Sequence, residues 1–144
     1  MKPLATIGYE NETQGVVIDR LKRAGVEVVI DVRAVASSRR AGFSKTLLAA
    51  SLAEAGVDYL HFRDLGTPKP GRDAARKGHV AEMHEIYEAH LAEPAAQLQL
   101  AQATEIAGQR KAALLCYEAD AAGCHRRIVA DRIREAIGCE VEDL

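Results

Sequence analysis

The chain has 144 residues, of which 48% are hydrophobic and 28% are charged, and its formal net charge is −2. A chain of this length and composition can bury a core of its own, which excludes a disordered protein. No apolar run reaches membrane-spanning length, the N-terminal segment lacks the apolar stretch of a signal peptide, and the three cysteines are widely spaced. We therefore expect a cytoplasmic protein with a single domain over residues 1–144 and no membrane partner.

Strand and helix patterns alternate along the chain. Apolar and β-branched runs predict strands over 3–9, 26–32, 57–62 and 112–118, and amphipathic runs predict helices over 12–25, 45–56, 80–91, 94–107 and 124–138. A loop rich in proline and glycine is expected over 63–79, and residues 139–144 fit a short fifth strand or a frayed end. This alternation predicts a three-layer α/β fold, with a mostly parallel sheet of four or five strands and helices on both faces. It does not predict the order of the strands.

Polar and reactive side chains follow each predicted strand at its carboxyl end. They occupy Gly8 to Asn11, Asp31 and Arg33, Arg63 to Gly66, and Glu118 to Arg126. The opposite ends carry ordinary turns such as AGVE and AGVD. Ligands of open parallel sheets bind beyond the carboxyl ends of the strands, where loops lead into helices. We therefore expect one functional site at that edge of the sheet.

The positive charge is concentrated in one segment. Residues 33–77 hold nine Lys or Arg against four Asp or Glu, whereas the rest of the chain holds ten against seventeen. This asymmetry predicts a small anionic ligand such as a nucleotide, with nucleic acid as an alternative partner. The presence of only six aromatic residues argues against base stacking. The residues expected to bind the anion are Tyr9, Arg33, Ser37, Arg39, Lys45, Arg63, Gly66 and Arg126.

The candidate catalytic residues are Asp31, Glu118, Cys124 and His125. Asp31 ends an apolar strand, where it acts in acid–base chemistry or pairs with Arg33 on the same side of the extended chain. Glu118 lies in line with Cys116 and is a candidate general base or metal ligand. Cys124 lies near a helix N-terminus beside His125, an environment that favours the thiolate of a nucleophile. The alternative for Cys124 is a small buried residue at the start of the helix.

Cysteine chemistry has two further interpretations. Cys116, Cys124 and His125 together offer zinc ligands, but no CxxC motif supports them, so no metal site is predicted and the cofactor stays open. The strands VVIDVR and LLCYE also fit a rhodanese-like sulfur-transfer enzyme. The acids that follow Cys116 oppose a persulfide there, and Cys116 itself is expected in the core.

Four motifs in series resemble the bacterial domain of unknown function 488 family: TIGYEN, VVIDVRAVASSRRAGFSK, VDYLHFRDLGTP and ALLCYEADAAGCHRRIVADRI. The resemblance covers nearly the whole chain and implies a compact α/β domain whose motif residues gather at one end of a parallel sheet, without a settled reaction. One departure is Ala36, where the family usually has proline, which loosens the loop without removing its charged groups. The motif positions on this chain are Gly8, Tyr9, Asp31, Arg33, Ser37, Arg39, Phe43, Lys45, Tyr59, Arg63, Leu65, Gly66, Cys116, Glu118, Cys124, His125 and Arg126.

These observations favour an enzyme that acts on a small anionic substrate, phosphate-bearing or derived from a nucleotide or nucleic acid, as an acid–base hydrolase or transferase. The alternatives are a non-catalytic nucleotide or nucleic-acid binding module and a rhodanese-like thiol enzyme. The favoured function requires the side chains at the strand ends to share one pocket. The sequence leaves the reaction and the oligomeric state open.

Overall fold

The structure, a computed structural model, describes residues 2–144 except the side chain of residue 122. Its strands are β1 (Leu4–Gly8), β2 (Val28–Asp31), β3 (Asp58–His61), β4 (Ala112–Cys116) and β5 (Val141–Asp143). Its helices are α1 (Gln14–Arg23), α2 (Lys45–Glu54), α3 (Lys69–Arg76), α4 (Val80–Leu91), α5 (Pro94–Gln109) and α6 (His125–Ile137). None of the described helices has the length and apolarity needed to cross a bilayer.

Helices cover both faces of a five-stranded parallel sheet, which confirms the three-layer α/β fold. The strand order is β3-β2-β4-β1-β5. Side chains alternate between the faces, so Val29 and Leu115 pack with the residues of α1 and α2, whereas Ile30 and Leu114 pack with those of α4 to α6. Residues 141–143 form the fifth strand, beside β1 at the edge of the sheet.

Helix α3 corrects the expectation of a loop over 63–79. Pro68 is its N-cap and Pro70 lies in its first turn, where the missing N–H of proline costs no hydrogen bond. Gly71 is buried within α3, and a Cβ there would overlap the Thr67 side chain. The prolines and the glycine therefore fit the start of this helix instead of preventing it.

The carboxyl ends of four strands lie side by side. Gly8 of β1 pairs with Cys116 of β4, while Asp31 of β2 pairs with Leu115 on one side and with His61 on the other. The loops that follow these strands are the segments in which the sequence concentrates its polar residues. This register places the candidate site residues along one edge of the sheet.

Candidate functional site

Two cavities open at the carboxyl edge of the sheet and share a wall. The inner cavity has a volume of about 400 Å³, and its lining includes Tyr9, Arg33, Met83, Cys116, Glu118, Cys124 and His125. The outer cavity has a volume of about 890 Å³, and its lining includes Ser37, Lys45, His61, Arg63, Gly66 and His90. The residues that line both are Ala34, Val35, Thr67 and Arg72. Most of the candidate residues are therefore distributed over two adjoining cavities instead of one, whereas Asp31, Arg39 and Arg126 are in the described lining of neither.

Two cysteines form the floor of the inner cavity. Cys116 ends β4 and Cys124 is the N-cap of α6, and the chain between them turns back so that the two sulfur atoms are joined in a disulfide. Their Cα atoms are 7.8 Å apart. Disulfide-bonded cysteines usually have Cα atoms about 4.4–6.8 Å apart, so the backbone holds this pair wider than an ordinary disulfide does.

The imidazole of His125 lies beside Cys124. Its Nε2 donates a hydrogen bond to the carbonyl of Val32 at 2.7 Å, because a carbonyl can only accept. The lone pair is therefore on Nδ1, which lies 3.6 Å from the Cys124 sulfur. Burial lowers the pKa of His125 to about 4, so the ring is neutral at neutral pH.

Glu118 and Arg126 surround the Cys116 sulfur. Oε2 of Glu118 lies 3.4 Å from this sulfur, and burial raises the pKa of the Glu118 carboxyl. Arg126 is 1% exposed, and its Nη1 donates to the Cys116 sulfur at 2.9 Å and to the Glu118 carbonyl at 2.6 Å. Burial lowers the pKa of Arg126. The guanidinium that the sequence assigns to anion binding thus lies beneath the floor, against a sulfur atom.

Asp31 and Arg33 form a buried ion pair behind the wall of the inner cavity. Nε and Nη2 of Arg33 donate to the Asp31 carboxylate at 2.9 and 2.7 Å, and the Tyr59 hydroxyl donates to the same carboxylate. Nη1 of Arg33 donates to the Tyr9 hydroxyl and to the Phe43 carbonyl. Burial alone would lower the pKa of Arg33, but the hydrogen bonds and charge of Asp31 raise it, so the guanidinium stays charged.

The alternation of side chains along a strand explains why Asp31 and Glu118 do not meet. Asp31 has the same parity as Val29 and contacts residues on the α1 and α2 side of the sheet. Cys116 belongs to the core on the α4 to α6 side, and Glu118 contacts it there. Asp31 is not among the described residues that line either cavity. Its contacts are those of a residue that holds Arg33 in position.

The outer cavity is lined by four of the eight predicted anion-binding residues, namely Ser37, Lys45, Arg63 and Gly66. Lys45 and Arg63 are exposed there, and His61 donates from Nε2 to the Arg33 carbonyl at 2.7 Å. Arg39 is also exposed, but the part of the chain that the structure describes does not bring it into the lining of either cavity. The outer cavity is therefore a polar depression with cations at its rim.

Sequence reasoning missed Arg72 and gave Cys116 a role in the core. Arg72 lies on α3, is partly buried and donates from Nη1 to the Thr67 carbonyl at 2.9 Å. Arg72 belongs to the positively charged segment of the sequence. The neighbouring proline and glycine residues, however, make this segment resemble a loop, so the sequence does not predict the helix that places Arg72 at the shared wall. Cys116 is buried and also lines the inner cavity, and its alignment with Glu118 is the signal that could have placed it there.

Gly8 lets the tip of β1 pack against the loop that carries Glu118. A Cβ at this position would overlap the Glu118 carbonyl oxygen and crowd Arg126. The glycine in the TIGYE motif therefore serves a close approach of two backbone segments.

A comparison with protein families places this arrangement in a known group. The model of the domain of unknown function DUF488 matches residues 14–133, a segment that includes both cysteines of the floor and most of the residues that line the two cavities. No curated protein and no solved structure matches the chain. The family match covers well over half of the sequence and confirms the resemblance in the motifs, so this chain belongs to the domain of unknown function DUF488 family.

Proposed function

We propose that this protein is an enzyme that acts on a small anionic substrate bound in the inner cavity. The observation that supports this function best is the composition of the cavity, in which two cysteine sulfurs, a carboxyl and an imidazole form the floor and Arg72 lies on the wall. A binding module needs the cation but has no need for buried reactive groups. We therefore favour catalysis over binding alone.

Arg72 is the residue that binds the anion in this proposal. Its described hydrogen bond goes to the Thr67 carbonyl, so the guanidinium retains N–H donors for a ligand. A planar guanidinium binds a carboxylate or a phosphate through two parallel hydrogen bonds. The neighbouring Arg76 is paired with Asp73, and Arg33 is held by Asp31, so neither is as available as Arg72.

Glu118 is the candidate acid–base group. Its carboxyl is fixed just beyond the carboxyl end of β4, lines the inner cavity and contacts the Cys116 sulfur. Cys124 and His125 belong to the same floor. A substrate held by Arg72 would face these groups, which suits an acid–base hydrolase or transferase.

Thermal unfolding in the presence of named anions tests the binding step. Inorganic phosphate, pyrophosphate and nucleoside monophosphates are compared with sodium chloride at equal ionic strength. A ligand at 100 times its Kd stabilises the folded protein by about 2.7 kcal/mol, so a bound anion should raise the unfolding temperature of the wild type. Arg72→Met should abolish this rise. Arg23→Met is the matched control, because Arg23 is an exposed residue of α1 outside the described lining of both cavities.

An Arg72→Met variant that responds to every anion as the wild type does would refute the binding site. Compounds that contain the anionic group found to bind are then screened as substrates. Glu118→Gln should bind the selected compound with unchanged affinity and lose its turnover. Normal turnover by Glu118→Gln would remove this carboxyl from the reaction.

A further inference from the structure

Three donor atoms meet at the floor of the inner cavity. The sulfurs of Cys116 and Cys124 and a carboxylate oxygen of Glu118 all lie within 4.8 Å of one another. Zinc binds thiolate sulfur at about 2.3 Å and carboxylate oxygen at about 2.0–2.2 Å in tetrahedral geometry, which places the ligand atoms of one ion roughly 3.6–3.8 Å apart. In the reduced protein, in which the two sulfurs are thiolates, small side-chain rotations would therefore let the three atoms share one ion.

The backbone spacing of the two cysteines suits an ion between the sulfurs better than a bond between them. Their Cα atoms are 7.8 Å apart, beyond the range of about 4.4–6.8 Å that relaxed disulfides span. A shared zinc ion separates two sulfurs by roughly 3.8 Å, compared with about 2.05 Å in a disulfide. The wider backbone spacing therefore matches the longer sulfur-to-sulfur separation.

The charges around the donors are balanced by a divalent ion. Two thiolates and a carboxylate carry three negative charges, and the buried Arg126 guanidinium beside Cys116 supplies one positive charge. A divalent cation makes the group neutral, which lowers the cost of burying it. The hydrogen bond from Arg126 to the Cys116 sulfur is the kind of outer contact that orients a metal ligand.

His125 lies next to one of the three donors, the Cys124 sulfur. Its Nε2 donates to the Val32 carbonyl, which leaves the Nδ1 lone pair next to the Cys124 sulfur. We place His125 beside the site and not among its ligands, because its nitrogen lies outside the group of three donors.

We propose that Cys116, Glu118 and Cys124 bind a divalent transition-metal ion, zinc in preference to others. Paired thiolates select zinc over magnesium and calcium, which prefer oxygen ligands. All three ligands line the inner cavity, so a fourth coordination position faces the cavity, as it does in catalytic zinc sites. The site rests on the proposed function in one respect, namely that this open position would meet a substrate held by Arg72.

Titration with cobalt(II) tests the site in the full chain, purified under reducing conditions and stripped with a chelator. One equivalent of cobalt should produce tetrahedral d–d bands and a thiolate-to-cobalt charge-transfer band, and zinc should displace the cobalt. Cys116→Ser and Cys124→Ser should weaken binding by at least about 100-fold and reduce the charge-transfer band, while Glu118→Gln should weaken binding by about 10-fold or more and keep that band. Cys139→Ser is the control, because this buried cysteine lies near the start of β1 at the opposite edge of the sheet.

A missing charge-transfer band, or a band that survives both serine substitutions, would overturn the metal site. If the serine variants do not fold, iodoacetamide labelling of the wild type decides the question. One equivalent of zinc should protect Cys116 and Cys124 from alkylation and leave the labelling of Cys139 unchanged. Equal labelling of the two cysteines with and without zinc overturns the site and favours thiol chemistry instead.

The metal site and the proposed function fail in distinguishable ways. Anion binding that depends on Arg72 in a protein without cobalt affinity refutes the metal site alone. Stoichiometric cobalt binding in a protein whose response to anions is unaffected by Arg72→Met refutes the anion site alone.

Discussion

Replacing Asp31 by asparagine tests the buried ion pair that supports the wall of the inner cavity. Asparagine keeps the shape of the side chain but removes the charge, so Arg33 loses its counter-ion while its bonds to Tyr9 and Phe43 remain. Asp31 is 0% exposed and Arg33 6%, and breaking such a buried pair costs about 3–5 kcal/mol because one charge is left without a partner. Domains of this size are stable by about 5–15 kcal/mol, so the variant should lose at least about a fifth of its stability.

Urea denaturation followed by circular dichroism measures this loss. Asp131→Asn is the matched control, since Asp131 forms partly exposed ion pairs on α6 and should contribute less than about 1 kcal/mol. The double variant Asp31→Asn/Arg33→Met should be more stable than the sum of the two single losses implies, because the stranded charge is removed with its partner. A loss below about 1 kcal/mol for Asp31→Asn, or strict additivity in the double variant, would refute the reasoning.

Two further predictions concern single contacts. Gly8→Ala should destabilise the protein by about 1–3 kcal/mol or more in urea denaturation, because its Cβ would overlap the Glu118 carbonyl. Gly15→Ala, which meets open space in α1, should instead be stabilising by about 0.4–1 kcal/mol, and equal effects at the two glycines would contradict the close approach. Tyr87→Phe should cost about 1–2 kcal/mol, since it leaves the Leu65 carbonyl without its 2.7 Å hydrogen bond, and an unchanged midpoint would rule out this contribution.

The sequence predicts the alternation of this fold but not the arrangement of its strands. Residues 26–32 read as a strand because the run is apolar and β-branched, and the structure has β2 at 28–31 within it. The position of β4 between β1 and β2 depends on pairings between segments more than 80 residues apart in the chain, which no local pattern records. The sequence does not predict helix α3, because its proline and glycine residues lower the local helix propensity. The helix nevertheless needs a glycine at position 71, where a side chain would collide with Thr67 and contact Ile86.

The sequence predicts which edge of the sheet carries the site, but it does not predict that the candidate residues are divided between two cavities. Every strand tip ends in polar residues, and in a parallel sheet all of these tips meet at one edge. Asp31 and Glu118 both lie at the carboxyl end of a strand, so the sequence pattern treats them alike. Their side chains nevertheless lie on opposite sides of the sheet, because the face is set by the exact position at which each strand ends. The position of Arg72 in the cavity wall depends on helix α3, which the local sequence pattern does not predict.

The two buried arginines near the carboxyl edge of the sheet, Arg33 after β2 and Arg126 in α6, differ in how their charge is compensated. Arg33 donates to the carboxylate of Asp31, whereas Arg126 donates to backbone carbonyls and to the Cys116 sulfur. The charge of Arg126 is compensated by carboxylates that it does not contact directly, since attraction to Asp143, Glu118 and Asp120 opposes the lowering of its pKa by burial. The contact between Arg126 and the Cys116 sulfur therefore holds this residue at the floor of the inner cavity, although the sequence pattern alone assigns it to the core.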